Sequence, residues 1–169
     1  VWRYSGATMR TSASGSSVGA GALPFTVAGQ APPSTEDPLA DVCIVALGYF
    51  QTMKIVLLEG RLLDERDIET GPRTSVINQT MARRYFPDRS PIGQMIQNPH
   101  GKSEVVGVVG DVRQFGPGAE APPILYLPLA QLPDPLWTRL RGFQPLSYAL
   151  RVRGAPEGYE APVRAALRE

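Results

Sequence analysis

Three stretches carry residue types that could do chemistry. Gly101-Lys102-Ser103 has the ending of a phosphate-binding loop. Such a loop needs another glycine five residues earlier, and a helix straight after whose N-terminal amides face the phosphate. Position 96 is Ile96, and Glu104 to Val112 is an extended, valine-rich run. The triplet therefore reads as the tip or edge of a hairpin. Gly107 and Gly110 do not complete a dinucleotide-binding fingerprint either. Gly15-Ser16-Ser17-Val18-Gly19 matches the G-x-S-x-G elbow of many hydrolases. That chemistry needs Ser17 raised on a strained turn between a buried strand and a helix, with a base and an acid nearby. The flanks here are small and flexible, and His100, the only histidine, sits in an Asn-Pro-His-Gly turn. The third stretch is the acid cluster Asp64, Glu65, Asp67 and Glu69. Its spacing fits no calcium loop, because glycine and glutamate are missing from the sixth and twelfth places. It reads as a solvated loop.

The remaining candidates are structural. Cys43 rules out an internal disulfide and a cysteine-built metal cage, and its apolar neighbours Val42, Ile44 and Val45 place it in a core. Asn78-Gln79-Thr80 is formally a glycosylation sequon, but Asn78 fits better as the N-cap of a buried helix. With no catalytic, cofactor-binding or metal constellation, a structural or interaction domain is the better class.

The elements that would position these residues follow from pattern. Hydrophobic residues make up 43% and charged residues 20%, as in a folded soluble domain, while 17 glycines and 17 prolines favour a loop-rich, strand-rich fold. A net charge of +1 provides no field for nucleic acid. No apolar run reaches the roughly 18 residues that cross a bilayer, and residues 1–10 lack the layout of a signal peptide. The chain reads as a soluble piece that could come from a longer membrane protein.

Strands are expected over residues 1–9, 23–29, 41–46, 75–77, 104–112, 124–129 and 146–153. Residues 11–22 read as a loop or hairpin tip, 49–53 as a short helical turn, and 57–63 as a glycine turn. A helix is expected from Asn78 until Pro87 stops it, with Met81, Ala82 and Tyr85 on one face. Another is expected over 157–168. Residues 92–96 lead into a hairpin closed by Asn98-Pro99-His100-Gly101.

Four motifs, taken in order, carry a family resemblance: Gly48-Tyr49-Phe50-Gln51-Thr52-Met53 with Leu58-Glu59-Gly60-Arg61; the run from Ser75 to Pro87; Ser90-Pro91-Ile92-Gly93; and Val105 to Val112, followed by Tyr126-Leu127-Pro128. Together they resemble the MacB-like periplasmic core domain of FtsX-like ABC transporter permeases, over about residues 23 to 169. The resemblance implies an α+β, two-lobed architecture. A mostly β sabre-like lobe would take about residues 20–140, and a porter-like β-α-β lobe about 1–10 and 146–169. In the family the porter-like lobe has further elements at both ends, so it would be incomplete here and expose a sheet edge open to pairing.

The implied role is non-catalytic. The domain would lie on the periplasmic side of the bacterial cytoplasmic membrane and couple ATP hydrolysis in the cytoplasm to conformational change and efflux. Implied partners are the permease's transmembrane helices, a second permease copy, a periplasmic adaptor and, indirectly, an ATPase; no cofactor and no nucleic acid are implied. Residues 132–145 match the family poorly. Trp137, Arg139, Arg141 and Phe143 there are candidate partner contacts, because aromatics and arginine are enriched at interfaces; the alternative is that the aromatics fold back onto the core. The rival function is a free-standing soluble periplasmic domain that binds a ligand or a partner.

Overall fold

Runs of valine, isoleucine and leucine too short for helices become strands buried on both faces. The computed structural model describes residues 3–4, 7–13, 22–29, 38–99, 101–112, 120–133, 147–152 and 156–166. Among them, eleven strands form one mixed sheet. They are β1 (Arg3–Tyr4), β2 (Ala7–Ala13), β3 (Ala22–Pro24), β4 (Thr26–Val27), β5 (Leu39–Val45), β6 (Leu57–Gly60), β7 (Thr74–Asn78), β8 (Met95–Asn98), β9 (Gly101–Val109), β10 (Ile124–Pro128) and β11 (Ser147–Val152). The helices are α1 (Tyr49–Met53), α2 (Gln79–Tyr85) and α3 (Glu160–Ala166), with 3₁₀ turns at Leu129–Gln131 and Pro156–Tyr159. Among the described residues no helix is long and apolar enough to cross a membrane.

The main strand order is β1-β2-β5-β10-β7-β9-β8-β4. β5 and β10 run parallel, as do β7 and β9, while β10 and β7 are antiparallel. β11 lies along β2, β3 flanks β5, and β6 flanks β9. Every residue of β7 and of β10 is buried, as expected for central strands covered on both sides. Alternation then divides their side chains between two cores. Ile77, Leu125 and Leu127 join Phe25, Val27, Met81, Phe86, Ile96, Val105 and Val108 on the face covered by α2. Val76, Ile124 and Tyr126 join Cys43, Val45, Tyr49, Phe50, Leu63 and Val109 on the face covered by α1. Each fully buried aliphatic or aromatic side chain contributes roughly 1.5–3 kcal/mol relative to exposure.

The α2 helix forms as its sequence implies. Asn78 is extended and its side-chain oxygen accepts from the Met81 amide at 3.0 Å. Met81 is fully buried, and Ala82 and Tyr85 pack against the same core. Phe86 leaves helical geometry at φ −133 and ψ 48 and buries its ring, as suits a residue that the proline after it keeps out of the α region.

Three local expectations are corrected. Over residues 1–9 the described residues form two strands, Arg3–Tyr4 pairing antiparallel with Ala7 and Thr8. The small, polar end of β2 stays extended to Ala13, since β11 and β5 supply hydrogen-bonding partners that composition does not reveal. Residues 57–60 are a strand, with the turn confined to Gly60 at φ 73. The expected strand over 41–46, helical turn at 49–53 and hairpin across 98–101 form nearly as read.

Candidate functional site

The polar side chains that looked chemical are, where described, tied into structure. Asp67 is 1% exposed, contrary to the solvated loop expected of the acid cluster. It can be buried because the residues around it supply four donors. The two terminal nitrogens of Arg61 donate to its carboxylate at 2.8 and 2.9 Å, the Asp64 amide at 2.8 Å and the Thr74 hydroxyl at 2.7 Å. Burial pushes the Asp67 carboxyl up, but these donors outweigh it and hold it below the usual carboxylate range. Glu65 and Glu69 are exposed, as read. Asp64 is held low by hydrogen bonds from the Arg66 side chain and amide.

A second network joins two of the family motifs. Asn78 donates to Asp111 at 2.7 Å and to the Pro122 carbonyl at 2.9 Å, and its oxygen also accepts from the Ile124 amide at 2.9 Å. Asp111 accepts from the amide and the hydroxyl of Thr80, each at 2.9 Å. The end of β9, the start of α2 and the start of β10 thus meet at one buried amide. The capping role of Asn78 was legible; that of Asp111 was not, although an acid just beyond an apolar strand and opposite a helix start is the available signal.

Cys43 is buried and unpaired, and burial, with Asp41 close by, pushes its thiol up to about 11. Among the described residues no group of three histidine, cysteine or acidic side chains could hold a metal ion. Ser17 and His100 lie outside the described residues, as do the proposed contacts Trp137, Arg139, Arg141 and Phe143.

The surface feature suited to function is apolar, and sequence reading missed it. Met53, Val56, Leu57 and Leu58 are 45%, 65%, 37% and 48% exposed. Local geometry explains their presentation. α1 ends with Lys54 in the left-handed region at φ 57; its amide donates to Gln51 O at 3.3 Å and that of Ile55 to Phe50 O at 2.8 Å. This Schellman closure tucks Ile55 against the core holding Phe50 and turns the next residues outward. β6 then pairs with β9 alone among the described strands, with all four residues exposed and a register shift at Leu58. An edge strand carrying large apolar side chains is suited to meeting another surface.

The sequence matches the profile of the MacB-like periplasmic core domain over residues 10–169. It is 34% identical over 82 residues, 48% of this chain, to the macrolide export ATP-binding/permease protein MacB of Agrobacterium fabrum. It is 30% identical over 122 residues, 70% of this chain, to the uncharacterized ABC transporter permease YvrN of Bacillus subtilis. These matches span 13% and 29% of those two proteins. The fold resembles the periplasmic region of MacB from Actinobacillus actinomycetemcomitans, with a TM-score of 0.61 and 17% identity over 98% of this chain and 66% of that one. It also resembles the extracellular domain of the noncanonic ABC-type transporter YknZ from Gram-positive bacteria, with a TM-score of 0.58 and 19% identity over 91% and 68%.

Proposed function

The chain belongs to the MacB-like periplasmic core domain family, and on that premise we propose that it is the extracytoplasmic part of an ABC transporter permease. In this reading it performs no chemistry. It is a mechanical element on the outer side of the cytoplasmic membrane, shifted between arrangements by ATP hydrolysis on the other side and acting on what is exported. The family match over residues 10–169 carries the proposal. The structure supports it with buried polar groups committed to holding loops and helix ends rather than to a reaction centre. The strip from Met53 to Leu58 is a surface for another protein of the assembly, a second permease copy or an adaptor. The division into a sabre-like and a porter-like lobe belongs to the same proposal, as do the contacts at Trp137, Arg139, Arg141 and Phe143.

Location is the first test. Cys43 is buried with a raised thiol pKa, so it gives little background labelling. In the parent protein, Glu69→Cys, at an exposed position outside that strip, should react with a membrane-impermeant maleimide in intact cells whose outer envelope has been made permeable. Labelling only after the cytoplasmic membrane is broken would overturn the extracytoplasmic reading. Recovery of the parent protein entirely in the soluble fraction would favour the free-standing domain.

A further inference from the structure

β6 is a sheet edge with little of the usual protection. Free edges are normally blunted by charged side chains, proline, a bulge or a covering element. β6 has the register shift at Leu58, but Ile55-Val56-Leu57-Leu58 carries neither charge nor proline. It has β9 on one side and, among the described residues, no strand on the other. The backbone shows which groups face the open side. Gly110 N donates to Val56 O and Arg61 N to Val106 O, at 2.8 and 2.9 Å, while Leu57 lies opposite Val109. Leu57 therefore occupies a non-hydrogen-bonded position toward β9, and its own N–H and C=O point to the open edge.

The ends of this apolar stretch carry opposite charges. Lys54 precedes it and Glu59 follows it, both exposed. The Ser90 hydroxyl donates to a Glu59 carboxylate oxygen, which holds the acid at its end. The segment Lys54-Ile55-Val56-Leu57-Leu58-Glu59 is thus complementary to a reversed copy of itself. With a two-fold axis at Leu57, the Leu57 residues of two copies exchange both backbone hydrogen bonds. Val56 then faces Leu58 of the second copy, and Lys54 of each chain lies beside Glu59 of the other. A parallel arrangement would set lysine against lysine and glutamate against glutamate. Two-fold symmetry is also the commonest way in which identical chains associate.

We propose that β6 pairs antiparallel with β6 of a second copy of this chain, joining the two sheets across an axis at Leu57. The inference rests on the reading of the strip as a protein-binding surface and deepens it, by fixing the partner and the register. An extended segment of a different protein is the competing occupant.

The test is oxidative cross-linking of Leu57→Cys in the parent protein in native membranes. Opposed residues of such a pair have Cα atoms about 5.5 Å apart, within disulfide reach, so a dimer that a reducing agent dissolves is expected. Cys43 is buried and stays out of the reaction. In the Leu57→Cys background, Lys54→Glu or Glu59→Lys alone should cut the cross-linked fraction about fivefold, because like charges then oppose each other twice across the axis, and the two together should restore it. Restoration by the double exchange is specific to a second copy, since a different protein would meet both charges reversed. Cross-linking that neither charge reversal changes would overturn the register. No dimer, with Leu57→Cys shielded from maleimide relative to Glu69→Cys, would overturn the pairing and leave the strip covered by another protein. No dimer, with both cysteines labelled alike, would remove the protein-binding surface as well.

Discussion

Asp67 shows how a side chain chosen for one apparent chemistry serves another. Its carboxylate is buried and bonded by Arg61, Asp64 and Thr74, while the Arg61 side chain remains 32% exposed. Asp67→Asn keeps the shape but loses the charge pairing, and should cost about 2 kcal/mol at pH 7, below a fully buried pair because Arg61 reaches solvent. The pH dependence follows from the depressed folded-state pKa. The stabilisation is fully present above the unfolded carboxylate value of about 3.9 and is lost as pH falls through the lower folded value. Urea midpoints should therefore differ between wild type and Asp67→Asn at pH 7 and converge below about pH 4. A constant difference down to pH 2 would show that lost packing, not charge, is responsible. Residue types alone could not reveal this. An acidic run reads as solvated because acids usually are, and the donors that reverse the rule come from Arg61 and from Thr74 across a turn.

At the scale of elements, β6 and β9 approach unusually closely. A Cβ on Gly107 would collide with the Arg61 carbonyl oxygen and lie 3.1 Å from its carbon, so backbone rather than a flexible side chain would have to move. Gly107→Ala should therefore destabilise by about 2 kcal/mol or more, whereas Gly158→Ala, with nothing within 4 Å, should stay within about 0.5 kcal/mol. Chemical denaturation of the two variants checks both; equal effects would remove close packing as the reason for Gly107. Much of this level was legible. The helix from Asn78 to Pro87, the buried strand through Cys43 and the hairpin at Gly101 follow from periodicity, capping and turn residues. β6 was not, because Leu57 to Gly60 shows no alternation: all four residues are exposed, and its strand geometry comes from pairing with β9. The apolar strip escaped notice with it, since pattern alone assigns Leu57 and Leu58 to the turn at Gly60.

For the whole molecule, the two cores share one sheet, so neither face can open without disturbing strands that serve both. Cys43 sits on β5 inside this arrangement, 3% exposed. Its reaction with a thiol reagent should require global rather than local opening. The urea dependence of its modification should coincide with the loss of circular dichroism. Modification well before that transition would mean that the β5 region opens separately. The family assignment came at this scale from four short motifs in order, and two of them are joined by the Asn78–Asp111 bond. Motif order was visible in the sequence; the bond was not, since 33 residues separate Asn78 from Asp111.

The parallel pairing of β5 with β10 has a consequence for the order in which the chain is made. β2 and β3, made earlier, can pair with one edge of β5, but its other edge, Asp41 to Val45, finds its partner only at Ile124 to Pro128. At ribosomal rates of about 5–20 residues per second, an apolar strand from the first third of the chain waits on the order of ten seconds for the neighbour that covers it. During that interval it is a hydrophobic segment with an open edge. The newborn protein is then a natural client for a holding chaperone, and variants that delay the arrival of β10 should aggregate before they ever reach the stage at which stability can be measured.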